Sequence, residues 1–401
     1  MPASVPAPLN PALINALAPP IMAAAEWVAG REFPASKPLI NLAQAVPADP
    51  PPQMLRDAMA DAVLNDPGVH LYGPVLGDDA LRDEISERWS SAYAGNIAQS
   101  NVAVTAGCNQ AFCAAIASVG GAGDEVILPT PWYFNHKMWL DMAEMKAVPL
   151  PCSADCLPSP EKAATLITDR TKAIVLVTPN NPTGAIYSPV LVAEFAELAK
   201  RHGLALIIDE TYRDYLPGDV PPHDQFQDPD WGGYLIHLYS FSKLFRLTGH
   251  RTGALIAGVE RVAEIEKFLD TTTICPPRLG QVAALAGLRA AAQLAPAERT
   301  EFGNRKAVLV EEFEKGVGDW QLLSAGAFFA YVRHPFDTDS ETVAKALVAQ
   351  ASLLCLPGLM FAPSISEGGD GMAEKTCRIA FANVDAAKLR EVAARLRSFR
   401  L

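Results

Sequence analysis

Lys243 stands in 240-SFSKLFRLTGHRTG-253, after an apolar run, with serines at 240 and 242 and with Arg246, His250 and Arg251 following. A lysine close to other cations loses proton affinity and can act as a nucleophile near neutral pH. Ser240, Ser242 and Arg251 offer charge-assisted hydrogen bonds to a phosphate. The same string also suits a solvated basic loop after a strand. Asp209 ends the apolar run of 204-LALIIDETYRDY-215, a place where burial demands a partner for its carboxylate. A protonated ring nitrogen would serve; so would the backbone of a helix that Asp209 caps.

Two further strings carry polar groups at turns. In 178-TPNNPTG-184 two prolines and a glycine make a rigid turn that aims the amides of Asn180 and Asn181. In 104-VTAGCNQAF-112 a strand ends, Gly107 turns the chain and a helix begins near Cys108, leaving free N–H groups for an anion. The glycine-rich 119-VGGAGDE-125 has neither the Lys-Ser/Thr ending of a P-loop nor a dinucleotide fingerprint, and reads as a turn before a strand.

These strings need elements to position them. Strand patterns fall at 102–105, 125–128, 146–150, 173–178, 204–208, 235–239 and 254–257, with helical patterns between most of them, such as 78–89 and 188–203. Alternation of this kind predicts an α/β fold with a mainly parallel sheet covered on both faces. Ligands bind such sheets beyond the carboxyl ends of the strands. Residues 105–109, 179–184, 209–212 and 240–243 all follow strand patterns, so they point to one shared site. After a long helical pattern at 279–316, short strands near 319–323, 327–332 and 376–381 and helices at 340–350 and 385–397 predict a smaller α+β domain. The large domain is expected over 48–285, and the small one over 286–401 together with the arm 1–47, which carries one helix near 20–29.

The chain has 401 residues, half of them hydrophobic, and a net charge of −12. It is long enough for about two domains. The acidic balance argues against a nucleic-acid partner. Seven cysteines at irregular spacings suit reduced thiols in a cytoplasmic protein better than a disulfide framework. Cys152 and Cys156 lack a second Cys or His pair nearby, so no metal is expected. Prolines at 2, 6, 8, 11, 19 and 20 break the apolar N-terminus, and no secretory signal, transmembrane helix or membrane partner is expected.

Taken together and in order, these motifs resemble the class I/II aminotransferases, the aspartate-aminotransferase-like fold-type I enzymes that use pyridoxal 5'-phosphate (PLP). The resemblance runs from 40-INLAQAVPADPPP-52 through 71-LYGPVLGDDALRDEI-85, 105-TAGCNQA-111, 131-PWYFNH-136, 178-TPNNPTG-184, 209-DETY-212 and 240-SFSKLFRLTGHRTG-253 to 377-CRIAF-381. It implies that Lys243 carries PLP as a Schiff base and that Asp209 pairs with the pyridine nitrogen. Asn181 and Tyr212 match the pair that hydrogen-bonds the ring's 3-oxygen. Ser240, Arg251 and the backbone of Cys108 and Asn109 match the phosphate ligands, and Tyr133 falls where an aromatic ring stacks on the cofactor. Tyr72 matches a tyrosine that reaches the neighbouring subunit's phosphate, which implies a homodimer with shared active sites. Arg378 matches the arginine that holds the substrate α-carboxylate.

The chain departs from the family in two places. Ala45, in 43-AQAVP-47, stands where the family usually has glycine near the substrate carboxylate, so it narrows the expected pocket. No clear counterpart exists for the arginine that selects acidic side chains. Arg278, in 276-PPRLGQ-281, either binds a substrate side chain or serves the surface, the second being favoured. The expected activity is ping-pong transfer of an α-amino group from a neutral or aromatic L-amino acid to a 2-oxo acid. A carbon–sulfur β-lyase shares the same motifs. A PLP-sensing regulator would need a helix-turn-helix module, for which the region before residue 40 leaves little room.

Overall fold

Apolar β-rich runs flanked by helices bury both faces of a sheet, and the computed structural model shows this arrangement over the residues it describes, 7–47, 49–216 and 222–401. The expected domain boundary at Ala48 and the first six residues of the arm lie outside them. The strands of the large sheet are β1 (Val102–Thr105), β2 (Glu125–Thr130), β3 (Lys146–Pro151), β4 (Thr171–Val177), β5 (Ala205–Asp209), β6 (Leu235–Ser240) and β7 (Gly253–Ile256). Their order is β1-β7-β6-β5-β4-β2-β3. All pairings are parallel except those of β7, which runs against both β1 and β6. Because β7 opposes both neighbours, β1 points the same way as β4, β5 and β6. Their carboxyl ends therefore share one edge.

The helices show how local chemistry sets their ends. In the helix Pro189–His202, the Ser188 hydroxyl accepts from Leu191 N–H at 3.2 Å, and Gly203 closes the other end with φ +64°. These caps bound the helical pattern expected over 188–203.

A second sheet is antiparallel: β8 (Gln321–Gly326), β9 (Phe329–Arg333), β10 (Leu356–Pro357) and β11 (Thr376–Ala380), in the order β10-β11-β9-β8. Ile40–Asn41 pairs with Leu353–Leu354, so the chain before the large sheet is bound to this smaller unit. Each sheet has its own apolar core. The 37-residue helix Arg278–Glu314 joins them, with Ala283, Ala284 and Leu288 in the first core and Phe302 and Leu309 in the second.

Candidate active site

Two helices contribute residues to the site, α1 (Cys108–Ala117) and α2 (Phe134–Met142); the joining helix is α3 (Arg278–Glu314). The carboxyl ends of β1, β4, β5 and β6 open on one cavity of about 210 Å³. Cys108, Asn109, Tyr133, Asn181, Asp209, Tyr212, Ser240, Lys243, Arg251, Arg378 and Ala45 all line it. Asp209 and Ser240 of the large sheet and Arg378 of the small one thus meet at one place. Tyr72 and Arg278 do not line it. Tyr72 is 79 % exposed. Arg278 Nη1 instead lies 2.6 Å from Asp78 Oδ1.

Lys243 is half-buried and sits among cations. Burial, then the charges of Arg378 and Arg251, pull its ammonium down to about 8, against the opposing attraction of Asp209. Its Nζ donates to Ala45 O at 3.0 Å. Ala45 therefore lines the cavity and presents a carbonyl to the lysine.

Asp209 ends β5 and is 4 % exposed. Burial works against its charge, but His136 and Thr211 outweigh it and hold the carboxyl below its ordinary range. Thr211 N–H donates to Oδ1 at 3.0 Å, and His136 Nε2 lies 3.4 Å from Oδ2. His136 is stacked on Phe112 at 3.8 Å between ring centroids, which fixes its ring plane. Sequence reasoning missed His136: it lies in the quoted string 131–136, but nothing local ties it to a carboxylate 73 positions away.

The turn 178–184 behaves differently from its expectation at one residue. Asn181 faces the cavity, and its Oδ1 accepts from Arg378 Nη1 at 2.9 Å. Asn180 turns inward: its Oδ1 accepts from Thr183 N–H at 3.1 Å and its Nδ2 donates to Val177 O at 3.3 Å. Its amide is spent holding the turn. Arg378 is 2 % exposed and lies between the Phe329 and Phe361 rings, 5.1 and 5.0 Å away. Its Nη2 donates to Ala43 O, while its Nε has no partner among the described residues. Burial pushes the guanidinium down to about 10, still cationic at neutral pH.

Gly107 (φ +89°) precedes α1, and a Cβ added there would fall 2.3 Å from Arg251 Nη2. A side chain would be strained at this φ, and the bare backbone leaves room for the guanidinium where it lies. The first-turn N–H groups of α1 have no intrahelical acceptor. With Arg251 and the Ser240 hydroxyl they form a cradle for an anion. A buried carboxylate, a lysine of lowered proton affinity and an anion cradle together fit PLP, whose ring nitrogen, aldehyde and phosphate need these three partners.

Behind Asp209, strand alternation sends Glu210 to the opposite face. Tyr93 and His237 donate to its Oε2, the second at 2.7 Å, and His223 Nε2 lies 3.6 Å away. Among the described residues, Glu210, His223 and His237 are the one group with metal-like ligand spacing. However, His223 Nδ1 accepts from Gln225 N–H at 3.2 Å, so in the neutral ring the Nε2 bears a proton that faces the carboxylate. This is the pattern of a hydrogen-bonded anion.

A family model described as aminotransferase class I and II matches residues 37–396. The chain is 27% identical over 332 residues to an aspartate aminotransferase of Sulfolobus acidocaldarius, covering 80% of this chain and 82% of the relative. It is 26% identical over 353 residues to a valine–pyruvate aminotransferase of Mycobacterium tuberculosis, covering 87% and 90%. Among solved structures, Thermus thermophilus aspartate aminotransferase with maleate superposes with a TM-score of 0.86 at 23% identity, covering 98% of this chain and 99% of that one. That likeness speaks to the fold.

Proposed function

Since the chain belongs to the class I and II aminotransferases, a family of PLP-dependent enzymes, we propose that it moves the α-amino group of a neutral or aromatic L-amino acid to a 2-oxo acid by a ping-pong mechanism, with Lys243 as the covalent anchor for PLP. The observation that carries this reading is the convergence of Lys243, Asp209, Arg251 and Arg378 on one cavity at the shared strand edge.

Bound there, PLP supplies an electron sink for negative charge developing at the substrate α-carbon. Asp209 holds a proton at the pyridine nitrogen, and His136 and Thr211 keep Asp209 ionised while it does so. Asn181 and Tyr212 hold the ring's 3-oxygen. Ser240, Arg251 and the N–H groups of Cys108 and Asn109 hold the phosphate, and Tyr133 packs on the ring. Lys243 takes the proton from the substrate α-carbon, a task suited to an amine whose proton affinity lies near neutral pH. Arg378 binds the α-carboxylate, with Asn181 and Ala43 O fixing its fork.

The substrate class follows from charge accounting. The lysines and arginines lining the cavity are Lys243, Arg251 and Arg378, each already matched to a group common to all substrates. Ile21, Val46 and Phe134 supply apolar wall, and Gln44 and Asn135 supply neutral amides. A second carboxylate would find no free cation among the described lining residues. Arg278, tied to Asp78, serves the surface in this reading.

We further propose a cytoplasmic homodimer with shared sites, with the chain divided into a large domain over 48–285 and a small one built from 1–47 and 286–401. Exposure of Tyr72 and its neighbour Leu71, which is 67 % exposed, supports the dimer. Free thiols throughout support the compartment. No helix among the described residues is long and apolar enough to cross a membrane.

A panel of amino donors and oxo acids, followed by chromatography, tests the activity. Neutral or aromatic donors should be converted only when an oxo acid is present, and aspartate should be a poor donor. Release of ammonia and pyruvate without an acceptor would instead identify a β-lyase.

A further inference from the structure

Arg246 lies three residues beyond Lys243 and has φ +57°, a left-handed conformation that an arginine seldom adopts. Residues are held in such conformations only where their surroundings insist on it. Here the backbone closes a tight turn, with Arg246 N–H donating to Lys243 O at 3.2 Å. The side chain is fixed from two sides. Its Nη2 donates to Glu298 Oε1, and its Nη1 lies 3.6 Å from Asp49 Oδ2. Glu298 is largely buried, with 14% of its side chain exposed, whereas Asp49 is 69% exposed and its attraction is screened. Glu298 is therefore the stronger anchor.

The position of Glu298 gives the contact its meaning. It lies in α3 two residues past Pro296, between the half of the helix packed on the large sheet and the half packed on the small one. Proline removes a hydrogen bond from a helix and crowds the carbonyl one turn back. Thr300 Oγ1 also donates to Pro296 O at 2.9 Å, a side-chain bond that competes with the helix at the same point. The helix ladder is therefore weakest here. Next to Glu298, Arg299 Nε donates to Asp214 O at 2.7 Å, in the segment that follows Asp209 and Tyr212. The other contact, Asp49, belongs to the strap whose start pairs with Leu353–Leu354 of the small unit and whose Ala45 O accepts from Lys243.

We propose that Arg246 is a positioning residue for the aminotransferase reaction: its pair with Glu298 ties the turn carrying Lys243 to α3 beside Pro296, so that Lys243 is held in register with the small-sheet unit and Arg378. The proposal rests on Lys243 being the PLP anchor. A 1 Å misplacement of a catalytic group can cost about a hundredfold in rate, so a loosened turn is readable in kinetics.

Four variants test it: Arg246→Gly, Glu298→Gln, the double substitution, and Arg246→Lys as the conservative partner. Glycine adopts φ +57° without strain, so its effect reports the lost ion pair rather than a turn that cannot form. Glu298→Gln keeps the shape and removes the charge. On folded, PLP-loaded protein, each single variant should lower kcat about tenfold while leaving KM for the amino donor nearly unchanged. The pH midpoint of the visible cofactor band should shift in both and return toward the parent in Arg246→Lys. The double variant should be no slower than the slower single one, because both remove the same contact. Unchanged kcat and band midpoint in both single variants, or losses that multiply in the double, would overturn the proposal. Borohydride reduction and peptide mapping of the parent separate the two readings. A label away from Lys243 defeats the functional reading itself, whereas a label on Lys243 with normal variants defeats only the role of Arg246.

Discussion

His136 Nε2 lies 3.4 Å from Asp209 Oδ2, with both side chains buried and the imidazole stacked flat on Phe112. The histidine opposes the cost of burying the charge on Asp209. His136→Phe keeps a flat ring against Phe112 and removes the polar edge. A hydrogen bond to a charged group contributes about 1.5–3 kcal/mol. The variant should lose roughly tenfold to a hundredfold in kcat/KM, together with affinity for PLP. Parent-like values for both in a folded variant would show that Asp209 needs no such neighbour.

Arg378→Lys keeps the charge but not the planar fork. It leaves either Asn181 Oδ1 or Ala43 O without its donor in a buried place. The expected loss is about 2–5 kcal/mol in binding every amino and oxo acid, or about tenfold in kcat/KM for each 1.4 kcal/mol. Attachment of PLP to Lys243 should survive. Steady-state kinetics on the loaded protein decides: unchanged kcat/KM for donor and acceptor removes Arg378 from the site.

Tyr72 is absent from the cavity of its own chain. If it serves a partner's site, mixing Tyr72→Phe with Lys243→Ala protein should produce heterodimers holding one site with both residues intact. Activity should rise above that of either parent variant. Heterodimers seen by native mass spectrometry without that rise would rule out shared sites.

The cluster behind Asp209 sets a pH limit on stability. Burial pushes His223 down to about 4, so it is neutral in the folded chain, while an unfolded histidine titrates near 6.5. Below that value the unfolded chain takes up a proton that the folded one refuses. The stability contribution is therefore full above pH 6.5 and is lost as pH falls toward 4, with a slope of up to about 1.4 kcal/mol per pH unit for one group. Glu210 acts further down. Burial opposes its charge, but the surrounding donors and Arg213 outweigh it and hold the carboxyl below its usual range. Its contribution is lost only at still lower pH. Urea unfolding of the parent between pH 7 and 4.5 should show the loss, and His223→Gln should flatten it. Parallel curves for the two proteins would mean that His223 does not titrate as described.

The strands and the polar residues after them were legible from the sequence because a strand's signal is local. An apolar run followed by a polar turn marks its own carboxyl end, as in 204–209 and 235–243. The motif series carried the family, and with it the expectation of PLP on Lys243.

What the tertiary structure decided are contacts with no local signal. In the turn 178–184 local turn chemistry does not tell the two adjacent asparagines apart, although the family resemblance singles out Asn181. Thr183 and Val177 claim Asn180, while Arg378, almost two hundred positions away, meets Asn181. His136 found Asp209, Arg246 found Glu298 and Arg278 found Asp78 in the same way. A side chain's choice of partner is set by which distant elements pack beside it and by which buried charge would otherwise stand alone. Periodicity and turn chemistry govern only the few residues on either side, so these choices became visible when the two sheets and α3 came together.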